Sequence, residues 1–148
     1  MLKAGEDAPD FTLMTHHGKP LSLSSLRGKK VLLWFYPQAG TPGCTAEGCS
    51  LRDNFNYYEE NNIAVLGVSF DPIEDNAAFA AKHAFPFILL SDTAREVGLA
   101  YGACDSPKAA YAERISYVID EQGKIMRLYP QVDTRVHAAE VLADLLSE

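Results

Sequence analysis

Val31-Leu32-Leu33-Trp34-Phe35-Tyr36-Pro37-Gln38-Ala39-Gly40-Thr41-Pro42-Gly43-Cys44 runs from an unbroken apolar segment, through a turn, into the start of a helical pattern. A continuous apolar run of this length marks a strand covered on both faces. Beyond Cys44, apolar Leu51, Phe55 and Tyr58 recur at spacings of four and three, as one buried helix face requires. Thr41 is placed to be the N-cap, and Pro42 takes the first helical position, where its missing N–H costs nothing. A buried strand feeding a helix is the repeating unit of α/β folds.

The rest of the chain repeats that unit. Ile63-Ala64-Val65-Leu66-Gly67-Val68-Ser69 reads as a second buried strand after Asn61-Asn62 ends the first helix. A helix is expected over 73–83, a third strand at Phe87-Ile88-Leu89-Leu90, and a short helix over 92–100 with Asp92 as its cap. Ile115-Ser116-Tyr117-Val118-Ile119 is a fourth major strand; a hairpin turn at 120–124 returns it as 125–129. Asp133 or Thr134 then caps a last helix through Leu146. Upstream, Phe11-Thr12-Leu13-Met14 and Pro20-Leu21-Ser22-Leu23 form an N-terminal β-hairpin around a turn at 15–19, and 24–28 is a helical turn closed by Gly28. Strands alternating with helices, then a hairpin and a terminal helix, imply a central mixed sheet flanked by helices. With no linker, repeat or low-complexity tract, residues 1–148 read as one domain.

Composition narrows the function. Acidic residues outnumber basic ones by 20 to 13, giving a net charge of −7. That balance argues against nucleic acid or an anionic membrane as the main partner. No apolar run spans a bilayer, and the N-terminus lacks the charged-then-apolar pattern of a signal peptide, so a cytoplasmic protein is expected. Three cysteines are too few for a disulfide scaffold. In a reducing compartment, cysteines that pair are more often catalytic than structural.

Two of the three lie on the first helix. Cys44 falls in its first turn, where backbone N–H groups have no internal partners and a thiol is readily drawn to thiolate. Thr41 can accept from one of those N–H groups while donating beside the sulfur, and Pro37 offers no donor and can wall off water. Cys49 follows five residues later. In an intact helix such residues rise about 7.5 Å and lie roughly 140° apart, which puts their Cα atoms about 8.7 Å from each other. A disulfide needs less than about 7 Å. The two can therefore bond only if the first turns unwind, and Gly43 and Gly48 each weaken the helix by about 1 kcal/mol relative to alanine. The alternative is that both thiols are inert packing residues.

The stretch Phe35-Tyr36-Pro37-Gln38-Ala39-Gly40-Thr41-Pro42-Gly43-Cys44-Thr45-Ala46-Glu47-Gly48-Cys49-Ser50-Leu51-Arg52-Asp53 resembles the active-site segment of peroxiredoxins, closest to the PrxQ or bacterioferritin comigratory protein group. The likeness extends from Gly5-Glu6-Asp7-Ala8-Pro9-Asp10-Phe11 to Tyr117-Val118-Ile119-Asp120-Glu121-Gln122-Gly123-Lys124-Ile125. It implies a thioredoxin-like fold and reduction of hydrogen peroxide and organic hydroperoxides. It implies Cys44 as peroxidatic nucleophile, Cys49 as resolving thiol, Pro37 and Thr41 as the rest of the motif, and Arg114 as the active-site arginine. Nothing else in the sequence selects Arg114 from thirteen basic residues. The implied cycle passes through a sulfenic acid and an intramolecular disulfide, recycled by thioredoxin or a similar dithiol. The group is often monomeric, and no metal or organic cofactor is implied.

Other residues carry weaker signals. Cys104 has no motif around it and reads as a spare thiol or an alternative partner for Cys44. Glu47 and Arg52 could support Arg114 or the loop, or merely solvate the surface. Trp34 and Tyr36 are read as packing. His16, His17, His83 and His137 lie near no motif, and no pair of them has the H-x₃₋₅-H spacing of a Cys/His zinc site. Two further functions fit a cysteine pair. A general disulfide oxidoreductase would want C-x-x-C, which is missing here. A redox-switched sensor or chaperone would use the same cysteines without turnover.

Overall fold

The computed structural model describes residues 1–147. Seven strands form one sheet: β1 (Thr12–Thr15), β2 (Pro20–Ser22), β3 (Lys30–Phe35), β4 (Ile63–Ser69), β5 (Ile88–Ser91), β6 (Ser116–Ile119) and β7 (Ile125–Tyr129), in the spatial order β2-β1-β5-β4-β3-β6-β7. The pairs β3–β4 and β4–β5 are parallel and the others antiparallel, so the sheet is mixed. The helices are α1 (Pro42–Asp53), α2 (Phe55–Glu60), α3 (Ile73–His83), α4 (Glu96–Ala100) and α5 (His137–Leu146). A central β3–α1–β4 unit followed by the β6–β7–α5 hairpin and helix is the thioredoxin-like arrangement expected. The N-terminal hairpin joins it through β1 against β5.

Strand β3 shows why its sequence lacks polar alternation. Val31, Leu33 and Phe35 enter one core cluster with Phe11, Leu23, Val97 and Tyr101. Leu32, Trp34 and Tyr36 enter the other, with Leu51, Tyr58, Phe79 and Val141. Successive side chains point to opposite faces, and both faces are covered. Each such large side chain, fully buried, contributes about 1.5–3 kcal/mol.

Three expectations need correction. The helix after Cys44 does not run unbroken to Asn61. It stops at Asp53, and α2 begins at Phe55. The break falls at Asn54, whose backbone leaves the helical region with φ −106° and ψ 5°; its side-chain amide donates to the Ser50 carbonyl at 2.8 Å, an oxygen that its own N–H also reaches at 3.2 Å. The helix expected from Asp92 begins only at Glu96, because Arg95 adopts a left-handed conformation with φ of 62°. The Asp92 carboxylate still serves its first turn, accepting from the N–H groups of Val97 (3.3 Å) and Gly98 (2.7 Å). The last helix begins at His137, after a turn in which Asp133 Oδ1 accepts from the Arg135 N–H at 3.1 Å.

Helix α1 lies close to the chain that follows α3. A Cβ on Gly48 would sit within 2.9 Å of Phe85 Cε2. Phe85 is itself stacked on His83 and Phe87 and edged by Phe79, so these three rings restrict its retreat. Helix propensity alone predicts that Gly48→Ala stabilises by about 1 kcal/mol. The packing predicts instead a net loss of about 1–3 kcal/mol. Urea unfolding of the two proteins measures the sign, and a gain would mean that Phe85 yields freely.

Candidate functional site

Strand β3 passes through Tyr36, whose N–H still pairs with the Val68 carbonyl at 3.0 Å, into the segment 37–41. There the Thr41 N–H closes a turn onto the Gln38 carbonyl at 3.4 Å. Gly40, with φ of 82°, supplies the left-handed conformation at the third position of that turn. Thr41 then takes an extended N-cap conformation, with φ −75° and ψ 156°, and Pro42 opens α1 as expected. The Thr41 side chain does not cap the helix. Its hydroxyl donates to the Gln38 carbonyl at 2.8 Å, which leaves the oxygen lone pairs open. Pro37 is half-buried at the base of the turn.

Cys44 is the third residue of α1, within the turn whose N–H groups lack helical acceptors. Its side chain is fully buried. Arg114 reaches it from the segment just before β6, the strand that pairs with β3. The β3–β6 register pairs Trp34 with Ser116, and the Phe35 N–H donates to the Ile115 carbonyl at 2.8 Å. Continued by two residues, that register brings Arg114 level with Tyr36, at the root of the turn. Arg114 Nη2 donates to Cys44 Sγ at 3.5 Å, and Nη1 donates to Glu47 Oε1 at 2.8 Å. Gly43 makes room for the guanidinium, since a Cβ there would stand 2.9 Å from Nη2.

Glu47 is three residues beyond Cys44, on the same helix face. It is only 1% exposed, and its Oε2 has no hydrogen-bond partner among the described residues. Burial pushes its carboxyl up from the ordinary 4.5 to about 7, against the opposing pull of Arg114. Desolvation outweighs a single ion pair because half of the carboxylate goes unserved. Of the two roles open to Glu47 in the sequence, support of Arg114 is the one the structure bears out. Arg52 instead binds Asp53 and the His83 carbonyl. His137 is buried and tied to Ser116 and Glu140, holding α5 to β6.

The structure thus brings Cys44, Arg114 and the turn bearing Thr41 and Pro37 to one place. It does not bring Cys49 to Cys44. Both thiols are free, both lie on the intact α1, and Cys49 is half-buried against the α1 side of the core. Cys104 packs with the opposite core cluster, beside Gly98 and Phe70. Burial raises the Cys104 thiol above its usual range.

Residues 4–128 match the AhpC/TSA family model. A putative peroxiredoxin bcp of Coxiella burnetii is 40% identical, over 97% of this chain and 99% of that protein. Among solved structures, peroxidoxin BcpB of Mycobacterium tuberculosis superposes with a TM-score of 0.91 at 33% identity, covering 99% of this chain and 98% of that one. A Xanthomonas campestris bacterioferritin comigratory protein, solved in work on alkyl peroxide reduction, gives 0.89 at 26% identity over 98% of each chain. With a buried thiol, a guanidinium and a peroxiredoxin motif converging on one helix start, the chain belongs to the AhpC/TSA family and is a thiol-dependent peroxidase of the Bcp/peroxiredoxin Q kind.

Proposed function

We propose that Cys44 is the peroxidatic nucleophile, Cys49 the resolving thiol, and thioredoxin or a similar dithiol the reductant. The observation that carries this reading is the placement of the buried Cys44 sulfur in the first turn of α1, facing the Arg114 guanidinium at 3.5 Å. The Cys44 thiolate attacks one peroxide oxygen; an S–O bond forms, the O–O bond breaks, and water or an alcohol leaves with a proton. Arg114 is placed to stabilise the charge that develops on the departing oxygen. The Thr41 lone pairs accept from the peroxide O–H, and the first-turn N–H groups donate to it. Cys49 then displaces water from the Cys44 sulfenic acid to form the disulfide, and thiol–disulfide exchange restores both thiols.

The same reading takes residues 1–148 as one monomeric domain, acting in the cytoplasm on hydrogen peroxide and organic hydroperoxides without metal or organic cofactor. Among the described residues, no helix is long and apolar enough to cross a membrane.

The resolving step requires α1 to unwind, because the ideal helical separation of five residues, about 8.7 Å, exceeds disulfide reach. Glu47 lies between the two cysteines and must leave its buried site when this happens. Its folded-state carboxyl titrates near 7 and its solvated form near 4.5. The raised value means that the proton favours the folded helix. That stabilisation is complete below about 4.5 and lost as pH rises through about 7.

Cys44→Ser should abolish peroxide consumption in a thioredoxin-coupled assay, and retained turnover refutes the assignment. Cys49→Ser should leave the rate of first oxidation within about threefold while slowing thioredoxin-driven turnover. Glu47→Gln removes the proton linkage. Relative to that variant, the unaltered reduced protein should lose roughly 2–3 kcal/mol of stability between pH 4.5 and pH 8. Urea unfolding at both pH values measures this, and parallel pH dependence in the two proteins contradicts it.

A further inference from the structure

Apart from the first helical bond of α1, in which the Thr45 N–H donates to the Thr41 carbonyl at 2.9 Å, the turn at 38–41 is joined to another element by one hydrogen bond among the described residues: the Ala39 N–H donates to Asp71 Oδ2 at 2.8 Å. In a turn closed by its fourth N–H, the second residue's N–H points outward and has no partner within the turn. Asp71 supplies that partner with a charged acceptor, which makes the bond stronger than a neutral one.

Asp71 stands at the junction of β4 and α3, followed by Pro72 with its fixed φ of −68°. Its own N–H donates to Ser69 Oγ at 3.3 Å. Ser69 Oγ in turn donates to Asn76 Oδ1 at 3.3 Å, and the same oxygen accepts from the Tyr36 hydroxyl at 2.6 Å. Ser69, Asn76 and Tyr36 are all fully buried. Tyr36 is the residue immediately before the turn. One buried polar network therefore fixes both the root of the turn and the carboxylate that holds its tip. The Arg114 guanidinium is engaged by Glu47 and Cys44, and the Asp71 carboxylate by the turn.

We propose that Asp71 is a positioning residue for the peroxide step: it holds the 38–41 turn so that Thr41 and the first N–H groups of α1 meet the peroxide at the Cys44 sulfur. The inference rests on the assignment of Cys44 and Thr41 above. Near-attack geometry is steep in distance, a displacement of about 1 Å costing on the order of 100-fold. Losing the clamp relaxes the turn without touching the sulfur or the guanidinium.

The test compares the second-order rate of Cys44 oxidation by hydrogen peroxide with the rate of Cys44 alkylation by iodoacetamide. The second reaction needs a reactive sulfur and no peroxide-accepting turn. Asp71→Ala should lower the peroxide rate by about 10- to 100-fold and leave alkylation within about twofold. Asp71→Asn keeps a carbonyl acceptor and should recover most of the loss. Ala39→Pro removes the donor at a turn position proline favours, so it gives the same selective loss should Asp71→Ala fold poorly. Combining Asp71→Asn with Ala39→Pro should cost no more than Ala39→Pro alone. A peroxide rate within twofold of the unaltered chain in both Asp71→Ala and Ala39→Pro overturns the proposal, as does a parallel fall in alkylation. Peroxide turnover surviving in Cys44→Ser instead overturns the underlying assignment of Cys44, independently of Asp71.

Discussion

A carboxylate withdrawn almost entirely from water is the constraint on which the site depends. Glu47 can occupy that place only because Arg114 reaches it, and Arg114 can reach it only because Gly43 leaves a gap in α1. Such a pair is a poor source of net stability, since its desolvation cost rivals its Coulombic gain. What it supplies is direction. The guanidinium is held by Glu47 on one nitrogen so that the other faces Cys44. The helix, the segment preceding β6 and the sulfur are thereby set in one arrangement rather than several.

Much of this architecture was legible from periodicity and from a few special residues. The strand at 31–36 is apolar on both faces because both faces meet core, and the Thr41-Pro42 start of α1 follows from backbone chemistry alone. Other features lie beyond what a local reading reaches. Arg114 is one of thirteen basic residues, and its place follows from an antiparallel register between strands some eighty positions apart in the chain. Glu47 looks the same in sequence whether it faces water or Arg114. The break at Asn54 shows why propensity windows overrun, since a single residue with φ of −106° and ψ of 5° interrupts a run that is helical on both flanks. Asp92 is correctly read as serving the N–H groups of a helix start, but the left-handed Arg95 moves that start one turn along the chain.

The two glycines of α1 carry a double meaning. In a free helix they are weak points. In the folded protein they are contact points, Gly43 with the Arg114 guanidinium and Gly48 with the Phe85 ring. Tight packing therefore compensates in the folded state for what the glycines give away in helix propensity. A helix that is locally weak but tertiarily locked is suited to exist in two states, because once its packing releases little intrinsic order remains to hold it.

The interruption at Asn54 sets the scale of that second state. Beyond it, α2 has its own attachment, the buried Tyr58 hydroxyl donating to the Ala138 carbonyl at 2.7 Å. Loss of order that begins at Thr41 therefore meets a boundary already present, and at most the twelve residues of α1 are set free. Each freed residue regains about 1–2 kcal/mol of backbone entropy at room temperature, which offsets the packing against Arg114 and Phe85 that unwinding gives up. The chain is hinged at one end by a glycine turn and at the other by an asparagine. Its conformational freedom is thus a bounded quantity: room for the pairing of Cys44 with Cys49 proposed above, too little to carry the sheet with it.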